Sequence, residues 1–256
     1  MPSAELVVGQ YKLLVVIASF LVSMTGSFVA LGAAADIRKP DGRLSLFSLC
    51  SAALSLGGVG IWCMHFIGMT AFKLPVHQSY AIAETVISFV AAVLVSGLAF
   101  WFLARQAFSL ARLFIAGTVV GLAVAVMHYL GMYGIRFTGY VAWDGPLVGL
   151  SIFIAVTAAT AALWLAFHTR RLAHRFLASV AMAAAVGTMH YTGMAAASFY
   201  CRTNVYELAP WGTISLDYLG ELVFMVALIL CGWLLLDQIW SRQLEEEPAP
   251  RRRVSA

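Results

Sequence analysis

Charge is what this chain of 256 residues has least of. Charged residues make up 11% and hydrophobic residues 62%, where a soluble domain carries about 25% and about 45–50%. So little charge excludes an ordinary water-soluble surface. The chain also lacks a nucleophile–base–acid set, a phosphate-binding loop and an acidic pair in one plane. An enzyme is therefore not expected. The four cysteines have no CxxC spacing. Cys50 and Cys231 read as small apolar packing residues, and Cys63 and Cys201 fall nearer one face of the membrane.

The apolar residues are distributed as seven long runs: Leu13–Ala35, Leu46–Phe72, Ala81–Leu103, Leu113–Tyr133, Leu147–Phe167, Phe176–Tyr200 and Leu219–Leu236. About 20 apolar residues suffice to cross a bilayer as a helix. Within lipid every backbone polar group must be satisfied internally, which favours helices. The expected fold is all-α, a polytopic membrane protein of seven helices. The first run ends in Ala33-Ala34-Ala35, like a signal-peptidase site. It is too long for a signal peptide, and the leader Met1–Gln10 has no basic n-region, so it is read as a retained helix.

Basic residues are placed unevenly. Arg38, Lys39 and Arg43 occupy the first connection, Arg105 and Arg112 the third, Arg170, Arg171 and Arg175 the fifth. Arg242, Arg251, Arg252 and Arg253 follow the last run. These are twelve of the sixteen basic residues. The positive-inside bias puts the N-terminus outside and the C-terminus in the cytoplasm. The net charge of +4 is this bias and gives no case for nucleic-acid binding. Trp143, Trp211, Tyr80 and Tyr140 fall where an outer aromatic belt is expected. The expected organisation is a short extracytoplasmic N-terminus over 1–10 and a membrane domain over 8–202. An outer loop and seventh helix follow over 203–236, then a disordered cytoplasmic tail over 237–256.

Within that frame one hexapeptide pattern, Met-His-aromatic-x-Gly-Met, occurs three times: Met64–Met69, Met127–Met132 and Met189–Met194. The copies start 63 and then 62 residues apart. They divide the membrane domain into three helical hairpins, about 10–72, 78–135 and 146–200. Each copy ends the second helix of its hairpin, so all three lie at one depth near the outer face. Small residues precede each copy (Gly57, Gly58 and Gly60; Gly117 and Gly121; Ala183 and Gly187), so the second, fourth and sixth helices are expected as an inner ring with the others outside.

Residues four apart share a helical face. His65 therefore stacks with Met69, His128 with Met132, and His190 with Met194. Met64, Met127 and Met189 flank them about 100° around the helix. Gly68, Gly131 and Gly193 leave room for a neighbouring helix or a ligand, and Gly57, Gly60, Gly117, Gly121 and Gly187 favour close packing. Lys73 and Arg136 read as cations capping helix C-termini, and Glu84 as an acid at a helix start. Cys63, beside the first motif, and Glu221, an acid near the start of the last helix, are secondary candidates. His77, His168 and His174 read as solvated.

Three imidazoles at one depth in a low-dielectric region are costly unless paired or metal-bound. Imidazole with thioether suits copper, particularly Cu(I). The candidate metal ligands are Met64, His65, Met69, Met127, His128, Met132, Met189, His190 and Met194, enough for one or two copper ions. Zinc more often takes thiolate or carboxylate ligands as well. No acid lies within a motif, which argues against hard cations. Haem is the competing cofactor, because His with His or His with Met can hold its iron. Copper transport or assembly is the competing role.

Met189-His190-Tyr191-Thr192 spells the tetrapeptide for which MHYT-domain proteins are named. The second copy has Leu130 in place of Thr, and the first has Phe66-Ile67. Over about residues 8–202 the chain resembles that family of bacterial inner-membrane sensors. The resemblance implies copper held by the motif Met and His residues, and sensing of O2, CO or NO. It also implies cytoplasmic output. Only twenty residues follow Leu236, so signalling is expected to use a partner protein. Oligomeric state is left open.

Overall fold

Seven helices long and apolar enough to cross a membrane stand where the hydrophobic runs predict them. In the computed structural model, which describes residues 4–202 and 211–246, they are α1 (Leu13–Ala35), α2 (Leu46–Ala71), α3 (Ile82–Ala104), α4 (Leu110–Tyr133), α5 (Gly145–His168), α6 (Leu172–Ala195) and α7 (Leu216–Glu246). The protein is a multi-pass membrane protein. Large apolar side chains such as Leu94, Phe114 and Phe153 point outward, as lipid-facing residues do.

The expected helix arrangement is the observed one. The second helices of the hairpins, α2, α4 and α6, surround a common axis. Helix α1 fills the groove between α2 and α6, α3 that between α2 and α4, and α5 that between α4 and α6, while α7 packs on α1 and α2. Glycines permit the close approaches. A Cβ on Gly26 of α1 would lie 2.5 Å from the backbone nitrogen of Gly60 in α2, and one on Gly121 would overlap the α5 backbone at Val156.

Short strands at the motif end of the bundle close each hairpin, and the all-helical reading did not include them. In the first hairpin β2 (Gln10–Tyr11) leads into α1 and pairs with β3 (Phe72–Lys73), which follows α2. In the second, β4 (Ser79–Ala81) pairs with β5 (Ile135–Arg136). In the third, β6 (Gly139–Trp143) pairs with β7 (Ala197–Cys201). The repeat is therefore a β-α-α-β unit. β1 (Glu5–Val7) adds to β7, and β8 (Thr213–Ser215) adds to β4 ahead of α7. Strands of two to five residues carry too little alternation to stand out beside the long apolar runs.

Helix α2 departs from the other motif helices. Leu54–Cys63 is π-helical, a geometry usually confined to one turn and often found at functional sites. From its first residue, Leu46, to His65 is one residue longer than from Leu110 to His128 or from Leu172 to His190. The wider turn absorbs the extra residue and keeps His65 at the depth of its counterparts. Ser23 of α1 donates to the Gly60 carbonyl of this segment at 2.7 Å.

Several expectations are corrected. Arg175 is not a loop cation; it lies in the first turn of α6 and is 3% exposed. Its Nη2 donates to the Phe28 carbonyl at 3.0 Å and to Gln238 Oε1 at 3.3 Å, and its guanidinium sits 4.5 Å from the Phe28 ring. Gln238 donates in turn to the Val29 carbonyl at 2.8 Å. The node ties α6 to α1 and α7, so α7 is ordered as helix beyond Leu236, through Glu246, where a disordered tail was expected. Residues 247–256 lie outside the described residues. Tyr80 is fully buried rather than part of an aromatic belt, its ring facing Phe66. Replacing Arg175 with Met should lower stability by about 2 kcal/mol, the scale of a charge-assisted hydrogen bond. Thermal unfolding in detergent checks this, with an unchanged midpoint as the contrary result.

Candidate metal centre

The three motif histidines meet on the bundle axis. They come from three hairpins and are 1–2% exposed. His65 Nδ1 lies 3.1 Å from Nδ1 of His190 and 3.1 Å from Nδ1 of His128. The ring centroids stand 4.9, 5.0 and 5.2 Å apart, with planes crossing at 74°, 82° and 87°. The result is a three-bladed propeller with one nitrogen of each blade turned to the axis.

Hydrogen bonding alone serves this arrangement poorly. A neutral imidazole has one N–H and one lone pair. His65 Nδ1 faces two neighbours and can complete only one such bond well. The three Nε2 atoms are buried without a hydrogen-bond partner among the described residues. A cation on the axis would take all three Nδ1 lone pairs and leave the protons on Nε2. Ligand atoms about 2.0 Å from a tetrahedral ion stand about 3.3 Å from one another, close to the spacing seen here. The three histidines can thus hold a metal ion, and their ligand atoms all fall within 4.8 Å of one another.

The motif glycines set the ring orientation. Gly131 faces His65 Nε2, Gly193 faces His128 Nε2, and Gly68 faces His190 Nε2; a Cβ on any of them would overlap that nitrogen. Each histidine therefore sits in the glycine socket of the next hairpin, and the third returns to the first. The sequence anticipated that a neighbour or ligand would occupy this space, and the occupant is the imidazole itself.

The motif aromatics repeat the same cycle. Tyr129 hydroxyl is 2.6 Å from Ser151 Oγ of α5, and Tyr191 hydroxyl is 3.1 Å from Ser19 Oγ of α1. The first copy has Phe66, which has no hydroxyl. There Trp62, one turn earlier, donates from Nε1 to Ser88 Oγ of α3 at 3.0 Å. Ser19, Ser88 and Ser151 are each the seventh residue of their helix. All three are fully buried. These serines were not singled out from the sequence. Aligning the three hairpins on their first helices would have found them. Above Tyr191, Tyr11 packs edge-on at 5.8 Å. Partial burial, with Tyr191 adding to it, pushes its hydroxyl pKa up to about 12.

The six motif methionines are all buried. Met69, Met127, Met132 and Met194 belong to the main apolar core, whereas Met189 packs with Ala125 and Ala155. The Met64 methyl reaches α6, 3.5 Å from where a Cβ on Gly187 would lie. Cys63 is buried, and all four cysteines are free. Glu221 is exposed on α7, in a surface groove with Lys12 and Asp217, and is not among the clustered histidines. Lys73 pairs with Asp217 at 2.7 Å. Arg136 donates to the last carbonyl of α4, at Tyr133, and pairs with Glu84, both at 2.7 Å. The C-terminal capping expected of Arg136 is thus joined by an ion pair between helices. His168 is exposed and stacked on Trp164.

A threefold set of membrane hairpins closing on a tri-histidine cluster defines a repeat-built membrane domain with a metal-competent centre. The chain belongs to the MHYT-domain family: the description "Bacterial signalling protein N terminal repeat" matches residues 58–116 and 121–179. The chain is 34% identical over 245 residues to the bifunctional diguanylate cyclase/cyclic di-GMP phosphodiesterase MucR of Pseudomonas aeruginosa, covering 94% of this chain and 35% of that protein. It is 34% identical over 209 residues to the cyclic di-GMP phosphodiesterase NbdA of the same organism, covering 78% and 26%. It is 28% identical over 229 residues to the signaling protein YkoW of Bacillus subtilis, covering 86% and 28%. The chain thus spans about a quarter to a third of the length of these relatives, and the activities in their names belong to those longer proteins. No solved structure matches it.

Two substitutions test the interlock. Gly131→Ala should push the His65 ring from its socket and cost about 1–3 kcal/mol from overpacking. Thermal unfolding would detect that loss, and Gly97→Ala, which meets only a side-chain Cβ at 3.2 Å, is the milder control. Tyr129→Phe should cost about 0.6 kcal/mol, the average for hydrogen bonds between membrane helices. No change relative to Tyr133→Phe, an exposed tyrosine, would dissociate the hydroxyl from hairpin docking.

Proposed function

We propose that this chain is the sensory membrane domain of a bacterial signalling system, holding copper at His65, His128 and His190. The convergence of three Nδ1 atoms on one buried axis is the observation that carries the reading. Neutral imidazole suits copper, and thioether favours its reduced form. Met64, Met69, Met127, Met132, Met189 and Met194 place six soft donors on the same three helices. Copper supplies a centre that can take a diatomic ligand (O2, CO or NO) or change oxidation state, and either event is the signal. The chain's own residues orient the imidazoles, exclude water and couple the three hairpins.

The relatives named as signalling and cyclic di-GMP proteins support the sensory role. Mutual contact between the imidazoles leaves no slot for a macrocycle, which favours a bare ion over haem. Transport is disfavoured because the space adjoining the motif at Met189 is walled by apolar side chains. The motif end faces outward across the bacterial plasma membrane, following the positive-inside bias. Helix α7 then leads to the cytoplasm and to the output partner.

Metal analysis of the purified protein beside His65→Ala, His128→Ala and the triple His→Ala variant tests the proposal. Wild type should retain copper after desalting, the single variants less, and the triple variant none. Equal copper in wild type and triple variant overturns the site. A Soret band with no copper would replace it with haem.

A further inference from the structure

A cavity of about 30 Å³ lies between α2, α4, α5 and α6. Its wall includes Leu56, Val120, Ala155, Ala159, Met182 and Met189, and every lining residue is apolar. One water needs about 10–15 Å³ of such space and two or more polar partners. Here the volume suffices for a particle of about two heavy atoms, and the wall carries no polar side chain. An apolar cavity of this kind stays dry and takes up small apolar guests.

Its position gives the cavity two useful connections. At one end is Met189, whose neighbour His190 completes the imidazole cluster. At the side, half-buried Ala158 and Ala162 of α5 and Val186 of α6 form an edge reaching the lipid-facing surface. Small apolar molecules concentrate in the hydrocarbon of a bilayer for the reason that apolar side chains do. An edge of alanines is open to them and closed to ions and water.

We propose that this cavity is a binding site for a small apolar molecule of diatomic size, entered from the lipid between α5 and α6. It deepens the sensory reading by giving an apolar gas a place to wait beside the centre, and in that role it rests on that reading. Occupancy of the cavity, however, needs no metal.

Xenon is the probe. The metal-free full chain is examined by diffraction from xenon-pressurised crystals and by xenon-129 NMR, with Ala159→Leu and Ala158→Leu made separately. Wild type should bind xenon among Ala155, Ala159 and Met189. Ala159→Leu should lower occupancy at least severalfold by filling the space, and Ala158→Leu should slow exchange by narrowing the edge. Only variants whose melting matches wild type are scored. No xenon in wild type, or equal uptake in a folded Ala159→Leu protein, overturns the proposal. A xenon-binding chain that takes no copper would overturn the copper centre and leave the cavity standing.

Discussion

Three imidazoles packed edge to edge on a buried axis are the constraint around which the bundle is arranged. With one lone pair and one N–H per ring, they cannot satisfy one another fully. Unpaired polar groups are costly at membrane depth. The rings hold their propeller only because each hairpin supplies one and receives the next. His65 rests on Gly131, His128 on Gly193 and His190 on Gly68. No hairpin completes the centre alone.

The same direction of exchange governs the layer around the cluster. Trp62 reaches the serine of α3, Tyr129 that of α5 and Tyr191 that of α1. Small strands close each hairpin at the motif end, and the glycine crossings bring neighbouring backbones together. A disturbance of one imidazole therefore presses on the next hairpin through its glycine. At the far end, Arg175 and Gln238 tie α6 to α1 and α7. This node joins the helix carrying the third motif to the last helix of the chain by direct contact.

Much of this was legible in the amino-acid order. Apolar length marked seven spans, and the repeat period placed His65, His128 and His190 at one depth. The small residues preceding each motif, such as Gly57, Gly117 and Gly187, pointed to the inner set. Other features left weak marks. The strands are two to five residues long. Arg175 resembles its neighbours Arg170 and Arg171 in sequence, and only burial separates it from them. The departure at Phe66 looked like a lost tyrosine, yet Trp62 on the same helical face makes the equivalent contact.

The sequence by itself determined the spans, the triplication and the residue types of the centre, because length, period and chemistry are local properties. Only the tertiary structure decided that Nδ1 turns to the axis, that each glycine receives another hairpin's histidine, and that a π-helical stretch brings His65 level with its partners. The histidine contacts among them join segments 63 to 125 residues apart in the chain. They depend on how three nearly equivalent hairpins close around a point, which no single hairpin specifies.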